Sequence, residues 1–135
     1  MTRATKIVTC FLKSGDKILI LKRSDKVKSM KSLWAGISGI IENNESPLER
    51  TKIEVFEELG IDASQIKLLK ESAKMRIISP QYENHEWEVY PFLFSVENPK
   101  IKLNWENSDY KWVRAEEISN YETVPSLEKV LSNLL

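Results

Sequence analysis

Glu54, Glu57 and Glu58 stand at i, i+3 and i+4 in "KIEVFEELGI", so on a helix their three carboxylates converge near one point. Like charges at that spacing repel, and a divalent cation would compensate them. Magnesium takes carboxylate and water oxygens in octahedral geometry, commonly with one or two protein ligands plus the phosphates of a substrate. The alternative is a solvated helix face in a chain where 20 of 135 residues are acidic, since charge runs on helices are common and exposed pairs contribute little. The acids fall in the second half of the helix, where the macrodipole disfavours negative charge, and that placement favours function. His85 is the only histidine and Cys10 the only cysteine, which excludes multi-histidine and cysteine zinc sites. Any metal here has oxygen ligands.

The elements that must position these acids are marked in the sequence. Ser46 can cap the helix, Pro47 fits its first position, Glu49 completes a capping box and Gly60 suits the stop. At 3.6 residues per turn, Leu48, Val55 and Leu59 share one face with Phe56 at its edge, while Arg50, Glu54, Glu57 and Glu58 fall roughly opposite. Upstream, "TKIVTCFLKSGDKILILKRS" reads as a hairpin around Ser14-Gly15-Asp16, with Arg23 where the second strand runs out. "DKVKSMKSLWAGISG" reads as a loop leading into a short extended segment. Downstream, "IKLLKESAKMRII" and "EWEVYPFLFSV" read as strands joined by the polar loop "SPQYENH", "DYKWV" as a short strand, and "VPSLEKVLSNLL" as a closing amphipathic helix. Strands, a helix, more strands and a last helix give a mixed α/β fold with helices against a sheet.

Length supports a single domain over residues 1–135. Charged residues are 30% with equal signs and net charge zero, which excludes a disordered charged tail and provides no global field for nucleic acid or an anionic membrane. Nothing approaches the roughly 18 consecutive apolar residues of a membrane helix. Cys10, in the apolar run "KIVTCFL", reads as a buried reduced thiol, and a reducing cytoplasm fits best.

The stretch "GIIENNESPLERTKIEVFEELGI", residues 39–61, resembles the Nudix box G-x5-E-x7-R-E-U-x-E-E-x-G-U, where U is a bulky aliphatic residue. Gly39, Glu45, Glu54, Val55, Glu57, Glu58, Gly60 and Ile61 match, and Ile53 stands where the family has arginine. "NWENSDYKW" resembles a family segment in which an acid, here Glu106, precedes a tryptophan by six residues. The resemblance covers nearly the whole chain and implies an α/β/α sandwich around a mixed sheet, with the box as a loop-helix-loop.

By resemblance, Glu54, Glu57 and Glu58 hold divalent metal, magnesium or manganese, with the Ser38 carbonyl and Glu106 as further ligands, and Glu45 fixes the loop-helix-loop. Glu42 matches an acidic position often seen in the five-residue gap. Glu57 and Glu106 are the two candidates for activating water, and Arg23 matches a frequent phosphate-contacting position. Arg50, four residues before Glu54, is placed to replace the missing box arginine. The resemblance implies hydrolysis of a nucleoside diphosphate linked to another group, as in a nucleoside triphosphate, nucleotide sugar or dinucleoside polyphosphate. Trp34, Tyr82, Trp87 and Trp105 are available to stack on a base, although packing is the commoner role of such residues. Homodimers are common in the family, but no segment here specifies an interface.

"ISGIIE" departs from the family's usual "PGGxxE", with Ile37 and Ser38 in place of proline and glycine. This and Ile53 support an alternative, a catalytically weak Nudix-like module that binds a nucleotide or protein and regulates. RNA decapping would require a basic surface or an added RNA-binding segment, and the neutral chain argues against it.

Overall fold

The computed structural model describes residues 3–78 and 85–135. Strands β1 (Arg3–Ser14) and β2 (Lys17–Arg23) form the expected hairpin, with Ser14 paired to Lys17 across a two-residue turn. Gly15 takes φ of 63° there, the left-handed conformation such a turn demands. Two short strands follow, β3 (Trp34–Ala35) and β4 (Ile37–Ile40). Helix α1 spans Pro47–Leu59. Then come β5 (Ile66–Glu71), β6 (Met75–Ile78), β7 (His85–Val96) and β8 (Asn107–Val113), and helix α2 (Leu127–Ser132).

All eight strands belong to one sheet, whose longest path runs β3-β2-β1-β7-β5, with β4 on β1, β6 on β7 and β8 on β2. The β1–β7 pair is parallel from Arg3/His85 to Lys13/Ser95 and the other pairs are antiparallel, so the sheet is mixed. Alternation along β1 divides the core between two faces. Val8, Cys10 and Leu12 pack with Val55 and Leu59 of α1, whereas Phe11 packs with Leu127, Val130 and Leu131 of α2. The result is the α/β/α sandwich. Cys10 is buried and unpaired as expected.

Several boundaries differ from the sequence reading. "IKLLKESAKMRII" is two strands, and the break lies opposite Pro91: Glu71 pairs with Phe92 and Met75 with Val89. A proline within a central strand cannot donate to a neighbour. Its carbonyl is used instead, accepting from the Ser72 N–H at 3.2 Å. His85 begins β7 rather than lying in a loop, and its ring lies edge-on to Trp87 at 4.8 Å. Strand β8 starts at Asn107, earlier than "DYKWV". A 3-10 turn at Ala115–Asn120 had no sequence expectation, and the closing helix is only six residues long.

The largest correction concerns α1. Glu54 and Glu58 do not lie opposite the apolar residues; they are 7% and 4% exposed and share the buried side with Thr51, Val55 and Leu59. The outward side carries Lys52, Ile53, Phe56 and Glu57. A helix packed on a sheet buries a broad arc, and here β4 covers the rows next to the apolar stripe. Ser46 caps α1 by accepting from the Glu49 N–H at 3.1 Å, and Gly60 closes it with φ of 71°. The return bond of the capping box, from the Ser46 N–H to the Glu49 carboxylate, is not found among the described residues. Ser46→Ala is therefore expected to lower stability by about 1 kcal/mol, read as a shift in denaturation midpoint with unchanged slope; an unshifted midpoint would show that the cap is idle.

Candidate active site

The loop-helix-loop is pinned by one arginine. Arg50 donates from Nε to Glu45 Oε2 at 2.8 Å, from Nη2 to Glu45 Oε1, and from Nη1 to Glu54 Oε2 at 2.8 Å. Glu45 also accepts from the Glu42 N–H at 3.0 Å, so one fork ties the start of the loop to the middle of the helix. Guanidinium geometry suits two carboxylates at once. The hydrogen bonds to Glu45, and then that to Glu54, hold the Arg50 pKa above its ordinary value. Ile53, at the family's arginine position, faces outward and is 37% exposed.

Glu54 is fitted against backbone. A Cβ on Gly39 would lie 2.2 Å from the Glu54 carboxyl carbon, so the glycine leaves the space that the carboxylate fills. Burial raises the Glu54 pKa, and the Glu57 charge adds to that, outweighing the opposing pull of Arg50. Glu58 lies deeper. One of its oxygens accepts from Asn107 Nδ2 at 3.0 Å, while Oε2 is buried with no hydrogen-bond partner among the described residues. Burial drives the Glu58 pKa well up; Asn107 opposes this, while Glu106 and Glu54 reinforce it. Two carboxylate oxygens are both acceptors, so Glu58 and Glu54 can be reconciled only by a proton or a cation between them.

The end of β2 brings in the opposite wall. Its pairing with β8 shifts register between Lys22 and Arg23. Beyond the shift, Ser24 donates from its N–H to the Glu106 carbonyl at 2.8 Å and from Oγ to the Trp105 carbonyl at 2.7 Å. Arg23 and Glu106 are thereby held on one side of the cleft. Arg23 Nε and Nη2 both donate to the Ser29 carbonyl, at 3.3 and 3.1 Å. Burial lowers the Arg23 pKa while Glu58 and Glu106 raise it. Glu106 accepts from Asn104 Nδ2 at 3.2 Å.

These groups open into a cavity of about 540 Å³ that Arg23, Ser38, Glu42, Arg50, Glu54, Glu57 and Glu106 all help to line. Glu57 is exposed and makes no hydrogen bond among the described residues, and Glu58 sits behind the lining. The donor set is all oxygen, and the orphaned Glu58 Oε2 and the Gly39 cradle fit a hard divalent cation. As the side chains stand, the described residues do not gather three acids into a ready metal cluster. Arg50 holds one oxygen of Glu54, and Glu57, exposed, lines the cavity wall.

Two expected base-stacking residues do not join the site. Trp34 is 8% exposed, packs edge-on to Tyr121 at 5.4 Å and lines no part of the cavity. Its backbone instead ties β3 to the 122–124 segment, donating to the Glu122 carbonyl and accepting from the Val124 N–H. Trp105 is 60% exposed and also lies outside the lining. Trp87 does line the cavity, and Tyr82 lies outside the described residues. Asn107, which holds Glu58, was missed because nothing in its type or spacing marks it.

A mixed sheet between helices, with a loop-helix-loop carrying acids into a cleft, defines a fold class, and comparisons name it. The NUDIX domain model matches residues 3–134, and the chain belongs to that family, whose members hydrolyse substrates containing a linked nucleoside diphosphate. It is similar to nucleoside triphosphatase NudI of Escherichia coli, 25% identical over 96% of this chain and 95% of the relative. Dihydroneopterin triphosphate diphosphatase of Haemophilus influenzae is 24% identical over 95% and 87%. The MutT protein of Methanosarcina mazei Go1 shares the fold, with a TM-score of 0.76, 21% identity and coverage of 97% and 92%. The chain is a Nudix-type pyrophosphohydrolase, and no described helix is long and apolar enough to cross a membrane.

The raised Glu58 pKa has a direct consequence for stability. A carboxylate whose folded pKa exceeds its unfolded value favours the fold below the unfolded pKa and loses that contribution as pH rises through the folded one. Glu58→Gln is therefore expected to stabilise the chelator-treated protein at pH 7, on the order of 1–3 kcal/mol for relief of an unsatisfied buried group. The gain should shrink as pH falls from the raised folded pKa and be gone by about pH 4.5, the ordinary carboxylate value. Thermal unfolding against pH checks it, and a lower Tm for the variant at pH 7 would contradict it.

Proposed function

We propose that the protein hydrolyses the pyrophosphate linkage of a nucleotide with magnesium or manganese bound at Glu54, Glu57 and Glu58, assisted by the Ser38 carbonyl and Glu106. One observation carries the reading. Four carboxylates line the cleft, Glu42, Glu54, Glu57 and Glu106, against two guanidiniums, Arg23 and Arg50, so the cleft by itself repels a polyphosphate. Cation binding reverses that repulsion. When bound, the metal offsets phosphate charge and makes a water molecule easier to deprotonate.

The chain's own groups supply the rest. Glu57 and Glu106 both face the cleft, and either accepts the proton of the attacking water. Water oxygen then bonds to phosphorus while the bridging P–O bond breaks. Arg23 keeps its charge beside Glu106 and has guanidinium hydrogens beyond those given to Ser29, so it can contact a phosphate oxygen. Arg50 acts through Glu54: it sets the carboxylate's direction and does not touch substrate in this reading. Its clamp supports catalysis despite Ile53 and removes the main motive for a regulatory module without turnover. The names of the two curated relatives support a triphosphate substrate. A cytoplasmic location and a single domain over 1–135 belong to the same proposal.

Turnover is expected to require magnesium or manganese, to vanish in chelator, and to fall at least about 100-fold in Glu57→Gln if that residue is the base. Arg50→Ala should lower kcat about 100-fold through displacement of Glu54, while Lys52→Ala, exposed on the same helix, should change it less than about 2-fold. Equal small losses at positions 50 and 52 would remove the clamp from the mechanism.

A further inference from the structure

The lining of the cleft leaves a problem of approach. Its four carboxylates exceed its two guanidiniums by two charges, which one divalent cation would cancel, so a loaded lining has no net charge to draw an anion in from solution. The chain's net charge of zero adds no overall field. Positive charge is gathered instead on the segment between β2 and β3, "SDKVKSMKSL", residues 24–33, where Lys26, Lys28 and Lys31 stand against Asp25 alone. All three lysines are exposed, and none has a carboxylate within ion-pair distance among the described residues.

The segment is fixed at the rim of the cavity. Ser29 and Met30 line it, so Lys28 and Lys31, their neighbours in the chain, each have a Cα about 3.8 Å from that of a lining residue. Val27 anchors the segment from within, 6% exposed. Arg23 closes its ends: the Arg23 N–H donates to the Leu33 carbonyl and its carbonyl accepts from the Ser32 N–H, both at 2.9 Å, while its guanidinium grips the Ser29 carbonyl. Met30 and Ser32 take φ of 54° and 64°, a left-handed conformation uncommon outside glycine that persists where surrounding bonds impose it. Three cations therefore stand beside the opening on a loop that is held in place.

Resting on the pyrophosphohydrolase reading, we propose that Lys26, Lys28 and Lys31 form an electrostatic collar that captures the anionic substrate and sets its rate of entry without touching the reacting atoms. Charges of one sign beside a cleft raise association rates by roughly 10- to 1,000-fold, and salt abolishes the effect. The Debye length is about 30 Å at 0.01 M ionic strength and about 3 Å at 1 M, so the collar acts across the whole opening in dilute buffer and not in strong salt. It reads charge alone: a ligand with three phosphates gains more from it than one with two. Capture is thereby separated from the hydrogen bonds that Arg23 can make once the ligand has arrived.

The test combines Lys26→Gln, Lys28→Gln and Lys31→Gln in one variant. A matched control combines Lys17→Gln, Lys67→Gln and Lys70→Gln, at exposed lysines that line no part of the cavity. Stopped-flow association of ATP or ADP carrying a methylanthraniloyl fluorophore, with magnesium, gives the on-rate, and steady-state hydrolysis of magnesium ATP gives kcat and kcat/KM. At about 0.01 M ionic strength the collar variant is expected to lose about 10-fold in on-rate for the ATP probe, less for the ADP probe, and to lose kcat/KM with it while kcat moves less than about 2-fold. At about 1 M salt its on-rate comes within about 2-fold of wild type, and the control stays within about 2-fold throughout. An unchanged on-rate at low salt, an equal loss in the control, a loss that persists at 1 M, or a fall in kcat in place of on-rate overturns the proposal. Should the triple variant not fold, Lys28→Gln and Lys31→Gln singly are each expected to lose about 2-fold at low salt only, and no loss in either overturns it. Lysine- and salt-dependent capture without hydrolysis upholds the collar and removes the hydrolase reading, whereas hydrolysis with lysine-independent capture does the reverse. If the probes are neither bound nor hydrolysed, both fall.

Discussion

The molecule is organised around a charge that its own fold leaves unsatisfied. Glu54 and Glu58 are on the buried side of α1, and an oxygen of Glu58 has no donor among the described residues. Burying a carboxylate without a full set of partners is costly, and the pKa of both residues is raised mainly by that burial. A structure selected for stability alone would place apolar residues there. Retaining two acids against the sheet makes sense when a cation completes them, and strain of this sort collects at functional sites.

Everything nearby limits how those acids can relax. Gly39 gives Glu54 room from below, Arg50 fixes it from the side and ties it to Glu45, and Asn107 holds Glu58 from β8. The β1–β2 hairpin contributes by ending at Arg23, beyond which Ser24 donates from Oγ to the Trp105 carbonyl and from its N–H to the Glu106 carbonyl and sets the far wall. The long parallel pairing of β1 with β7 carries the floor from the charged half of the cleft to the apolar half.

Much of this was legible in the sequence, for identifiable reasons. The cap Ser46, the stop Gly60 and the spacing of the three glutamates define α1 locally, and the hairpin follows from β-branched runs around Gly15. The direction the glutamates face was not legible, because a 3.6-residue period locates an apolar stripe but not how broad an arc the sheet covers. The break between β5 and β6 depends on Pro91 in a different strand, so reading "IKLLKESAKMRII" alone could not reveal it. Trp34 looked available to a base, but its partner Tyr121 comes from a distant turn. Arg50 was identifiable from helical spacing to Glu54, whereas its fork onto Glu45 depends on how the preceding loop folds back.

The most direct test of the central claim is thermal unfolding of the wild-type protein and Glu58→Gln over a titration of magnesium or manganese. A ligand that binds only the folded state raises stability with the logarithm of its concentration above Kd. The account predicts a rise in wild-type Tm with added metal and a much smaller one in Glu58→Gln, so that the order of stability reverses between chelator and saturating cation. Equal metal responses in the two proteins, or no response in either, would contradict the view that the buried acids are completed by a cation.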